Sequence, residues 1–136
     1  MFFPDKAAGF REALRVLRPG GRFLFSVWES WEGTVFGLAC DVVARLLSCD
    51  AASLTAPPYN DVTAVREELA AVGFAEIDTE RVQKRSHSGS PEEAAVVACH
   101  GGILRAAIET RAASRLDELT AAVAAAIAER FWPGND

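Results

Sequence analysis

The stretch Glu12–Trp31, EALRVLRPGGRFLFSVWESW, constrains this chain more than any other. It begins as the end of a helix over residues 6–18. Phe10, Leu14 and Leu17 recur at i, i+4 and i+7, so one stripe is apolar. Arg15 and Arg18 stand in the last turn, where cations suit the carbonyl end of the helix dipole. Pro19-Gly20-Gly21 then stops it, because proline cannot continue the hydrogen-bond ladder and glycine accepts positive φ. Arg22–Trp28 comes next as a predicted strand, and Phe23, Leu24, Phe25, Val27 and Trp28 leave it no polar face apart from Ser26. A strand without alternation is buried on both sides, as in a parallel sheet covered by helices. Such a strand needs a neighbour at each edge.

The rest of the chain offers one further strand. A second helix is predicted from a Thr34 cap to Leu47, and a third from Asp61 or Thr63 to Val72, stopped by Gly73. Phe74–Arg85 alternates Glu76, Asp78 and Glu80 with Ala75, Ile77 and Thr79, which predicts a half-exposed or edge strand. Ser90, Pro91 and Glu93 form a capping-box signature for a helix that pauses at Gly101-Gly102 and resumes to Thr110. A last helix, with Ser114 as its expected cap, carries Leu116, Leu119, Val123, Ile127 and Phe131 in one stripe. The expected fold class is α/β with about five helices and two main strands.

Composition narrows the function classes. A length of 136 residues fits a single domain, and 50% hydrophobic with 24% charged residues is ordinary for a globular chain. The net charge is −5 and no basic cluster extends beyond Arg81, Lys84 and Arg85, so nucleic acid is not an expected partner. No apolar run approaches the roughly 20 residues of a membrane span, and MFFPDKAAGF lacks the layout of a signal peptide. Cys40, Cys49 and Cys99 are odd in number and far apart, which predicts reduced thiols, no metal site and a cytoplasmic location.

FREALRVLRPGGRFLFSVWES resembles the segment before and through the fifth strand of class I S-adenosylmethionine-dependent methyltransferases. Within that group it looks most like the small-molecule type related to quinone and sterol C-methyltransferases. VREELAAVGFAEIDTERV is similar to the family's later helix, glycine stop and sixth strand, and MFFPDK to the stretch just after its fourth strand. The resemblance implies a partial Rossmann-like fold, with residues 1–33 ending the core and 34–136 forming a helical substrate or lid region with one more strand. It implies S-adenosylmethionine as the parent family's cofactor and places Phe2 and Phe3 at the cofactor's border.

The family's glycine-rich turn between a strand and a helix has no counterpart here. Gly20-Gly21 ends a helix and Gly101-Gly102 lies inside helical sequence. The family's closing seventh strand has no counterpart after Trp132 either. The expectation is therefore the C-terminal half of a methyltransferase, lacking the cofactor-binding half, binding no cofactor alone and inactive alone. A non-catalytic oligomerisation or apolar-ligand-binding module is the alternative. Unpaired edges at Arg22–Trp28 and Phe74–Arg85 predict a homodimer or larger oligomer, or completion by a separate N-terminal half.

Trp28, Glu29 and Trp31 fall just past the end of the first predicted strand, where open α/β sheets place ligands. With Tyr59 they are the candidate substrate-binding residues for a small apolar acceptor; core tryptophans and a solvated glutamate are the plainer reading. His87 and His100 are the chain's histidines, and neither has a sequence neighbour that would mark it as a general base.

Overall fold

The computed structural model describes residues 3–132. Its elements are six α-helices, α1 (Lys6–Val16), α2 (Val35–Leu47), α3 (Val62–Val72), α4 (Pro91–His100), α5 (Gly102–Ala112) and α6 (Leu116–Phe131), with short 3₁₀ turns at Ala51–Leu54 and Ala113–Arg115. They form two compact units. One comprises residues through Ser30 with Pro58–Lys84, the other Trp31–Pro57 with residues from Arg85 onward.

The expected α/β fold with two main strands is corrected here: among the described residues there is no strand, and the fold is all-helical. Among those residues, neither 22–27 nor 75–87 takes part in a backbone–backbone hydrogen bond. The physical reason is the missing neighbour. A strand exists only as one side of a ladder, and an apolar segment without a hydrogen-bonded partner stays irregular. Arg22–Trp28 nevertheless keeps a two-residue alternation. Phe23 and Phe25 turn towards Phe10 of α1, with ring centroids 6.3 and 5.6 Å away, whereas Leu24 between them is 93% exposed. The first unit is closed by Phe10, Val65 and Leu69, with Tyr59, Val72, Phe74 and Ile77 packed against them.

Local signals set the helix ends. Asp5 caps α1 by accepting from the Ala8 N–H at 2.8 Å, and Asp61 caps α3 by accepting from Thr63 and Ala64. Thr34 Oγ1 accepts from the Gly37 N–H at 3.0 Å and starts α2 as expected. Gly73, at φ 110°, ends α3. At α4 the Glu93 N–H donates to Ser90 Oγ, while the Glu93 carboxylate accepts from the Gly89 N–H at 2.9 Å, one residue before the cap. The expected helix through Gly101-Gly102 is two helices, α4 and α5, separated at Gly101, with Gly102 opening α5 at φ 60°. Ser114 is not the cap of α6: it lies inside the Ala113–Arg115 turn, and α6 starts at Leu116 with no side-chain cap.

The second unit holds the larger core. Val43, Leu54, Ala95, Cys99, Leu104, Ile108, Leu119, Val123 and Ile127 are buried, and α6 packs on α4 and α2. Ala94, Ala95 and Ala98 on α4 and Ala124 on α6 keep the packed faces small. Phe131, the last residue of the expected stripe, is exposed.

Candidate functional site

Trp28, Glu29 and Tyr59 belong to the first unit. Trp28 is 63% exposed. The Glu29 carboxylate pairs with Arg81 at 2.8 Å, and its carbonyl accepts from the Asn60 side-chain amide. Tyr59 donates its hydroxyl to the Glu68 carboxylate, and the Lys6 ammonium lies 5.0 Å from its ring centroid. Partial burial, then the bond to Glu68, push the Tyr59 phenol above its ordinary pKa, so it stays protonated at neutral pH. Trp31 lies in the second unit, where its indole N–H donates to the Ala56 carbonyl at 3.4 Å and its ring packs 4.8 Å from Phe36. Of the two residues expected at a cofactor's border, Phe3 lays its ring against Gly9, where a Cβ would meet it at 2.9 Å. Phe2 lies outside the described residues.

The glycine pairs serve the chain's own turns. The Gly21 N–H donates to the Arg18 carbonyl at 2.8 Å, and a Cβ on Gly21 would meet that same oxygen at 2.9 Å. A Cβ on Gly101 would meet the Val97 carbonyl at 2.9 Å. A glycine loop that receives a ligand's anionic group leaves its backbone N–H groups pointing outwards at the start of a helix. Gly21 has turned its N–H inwards, and no helix begins at Gly20-Gly21. Gly20-Gly21 therefore does not form such a loop. No cluster of three His, Cys, Asp or Glu able to hold a metal occurs among the described residues.

His100 has a structural partner. Thr120 Oγ1 donates to the Leu116 carbonyl at 2.7 Å and lies 3.1 Å from His100 Nε2. The contact clamps the end of α4 to α6. His87 borders an open hollow beside Glu92, Val96 and Val97.

A groove of about 440 Å³ between α2 and α6 has no signature in the sequence. Leu38, Val42 and Ala126 form its floor, and Asp41, Arg45, Glu129 and Arg130 surround it. It has an apolar base and two charges of each sign, but no thiol, hydroxyl or imidazole. The arrangement can bind and orient a molecule. The Asp41/Arg45 spacing of four residues places both on one helix face, but their juxtaposition with Glu129 and Arg130 depends on how the helices pack.

No family model, no curated protein and no solved structure matches this chain.

Proposed function

We propose that this chain is part of an S-adenosylmethionine-dependent methyltransferase acting on a small apolar molecule. The methyl donor is held by residues other than these, so the chain alone does not turn over. The observation that carries this reading is the two-sided character of Arg22–Trp28. Phe23 and Phe25 touch Phe10 yet stay partly exposed, Leu24 and Trp28 are exposed far more, and among the described residues the backbone groups of 22–27 have no backbone partner. Apolar surface laid out in this way is finished only by neighbouring segments. The Leu-Arg-Pro-Gly-Gly stop that precedes it is the family-like element, and exposed Trp28 provides an aromatic surface for an apolar acceptor.

The test is calorimetric titration with S-adenosylhomocysteine, run on residues 1–136 and on a polypeptide extended in frame from the coding DNA upstream of Met1. No heat from the folded shorter chain, with saturable binding and methyl transfer by the longer one, is the expected result. Binding near one site per chain by residues 1–136, or none by the extended polypeptide, overturns the reading.

A second reading, a non-catalytic module for an apolar ligand, is favoured by the α2–α6 groove with its apolar floor and charged rim. Binding of a fluorescent amphiphile that Val42→Arg abolishes, without any response to S-adenosylhomocysteine, selects it.

A further inference from the structure

Residues 75–85 lie almost wholly at the surface. Every residue in it except half-buried Ile77 is exposed, Val82 to 64%, and among the described residues its backbone N–H and C=O groups make no backbone bond. Arg81 forms an ion pair with Glu29. The charges are ordered: Glu76, Asp78 and Glu80 come first, then Arg81, Lys84 and Arg85. An acidic half followed by a basic half complements itself when two copies run antiparallel.

We infer that this segment is a self-association edge, paired antiparallel with the same segment of a second copy and centred on Val82. Symmetry and charge select the register. Directly opposed residues of an antiparallel pair share one face, so a two-fold pair must centre on a residue that faces itself. Centring on Glu76, Asp78, Glu80, Arg81, Lys84 or Arg85 sets that charge against its own copy, and centring on Ala75 runs the pair into α3. Centring on Ile77 opposes Glu76 to Asp78, on Thr79 opposes Asp78 to Glu80, and on Gln83 opposes Arg81 to Arg85. Like charges directly opposite are destabilising. The Val82 register avoids every such clash. It sets Val82 against Val82 and Glu80 against Lys84 in both directions, with opposed Cβ atoms about 5 Å apart.

The occupant is a second copy rather than another protein because the complement of the sequence is the sequence itself. A net charge of −5 sets copies against one another at long range, so the attraction must be local, as ordered opposite charges supply. Self-association of this kind stands independently of the methyl-transfer reading, which the ligand titration tests.

Sedimentation equilibrium on the whole chain at high micromolar concentration tests it. The expected result is a dimer that Glu80→Lys alone, or Lys84→Glu alone, weakens by roughly tenfold or more, because each reversal creates two like-charge oppositions. Mixing the two variants restores the dimer, since each then meets an opposite charge on the other. Both positions are exposed, and circular dichroism of each variant checks that it is folded. A monomeric wild-type chain overturns the inference. So does a dimer that both reversals leave intact, which places the contact elsewhere, or a mixture that does not recover.

Discussion

The phenyl rings of Phe10 and Phe25 lie 5.6 Å apart, centroid to centroid, and this contact holds the segment after Pro19-Gly20-Gly21 against α1. Phe23 joins it edge-on at 6.3 Å and stacks on Phe25 at 5.2 Å and on Phe74 at 6.0 Å. Aromatic packing thus places the segment that has no backbone ladder to hold it.

Phe10→Ala is expected to cost about 3 kcal/mol, because the ring is buried and its partners cannot close the gap from an irregular segment. Hydrogen exchange checks it: amides of α1 and α3 lose protection while those of α4 and α6 keep theirs. Leu24→Ser, on the exposed side, changes stability by less than about 0.5 kcal/mol and reduces binding of a hydrophobic dye. Unchanged exchange in Phe10→Ala would show that the aromatic group does not anchor this unit.

Gly73 and Gly20 both have positive φ, at 110° and 74°, yet their surroundings differ. A Cβ on Gly73 would meet Leu14 Cδ2 at 3.2 Å, whereas one on Gly20 meets open space. Gly20→Ala is expected to cost about 1 kcal/mol and Gly73→Ala about 2 kcal/mol, the difference being the shift forced on Leu14. Urea titrations of both variants give the order; the reverse order would contradict it.

The thiols of Cys40 and Cys99 are buried in the second unit, and Cys49 is half-buried. Burial first, then the nearby Asp41 and Cys99, push Cys40 up from 9.0 to about 11; burial also raises Cys99. Iodoacetamide at neutral pH should label Cys49 first and the other two only after unfolding, read by peptide mass spectrometry. Because the folded pKa of Cys40 is the higher one, its stabilising contribution is complete below about 9 and is lost as pH rises through about 11. Stability in urea should therefore fall across that window, and Cys40→Ala should flatten the fall. Equal labelling rates in the native chain would refute the burial assignment.

The helices are largely legible in the residue pattern. Thr34, Asp61, Ser90 and Gly73 each act through bonds to residues within about five positions, so a local reading locates them. Ser114 misleads because a serine before an apolar stripe looks like a cap whether or not the chain has already turned into a 3₁₀ helix. Ser48 ends α2 at φ 52°, a conformation its residue type does not announce.

The candidate site is less legible. Trp28, Glu29, Trp31 and Tyr59 group together only by their distance from a predicted strand end, yet the structure gives Glu29 to Arg81, Tyr59 to Glu68 and Trp31 to Ala56 and Phe36. The polar partners Glu68, Ala56 and Arg81 are too far along the chain for a local pattern to name them, and packing chooses them. The α2–α6 groove is invisible in the sequence for the same reason.

By itself, the sequence determined where most helices start and stop and most of their inward stripes, because caps, glycine stops and apolar stripes act within a few turns of one segment. Tertiary structure alone decided whether Arg22–Trp28 and Phe74–Arg85 became strands. Ladder bonds form between segments, and here residues 22–27 and 75–85 make no backbone–backbone bond among the described residues, so apolar and β-branched residues suited to a sheet remain irregular and largely exposed.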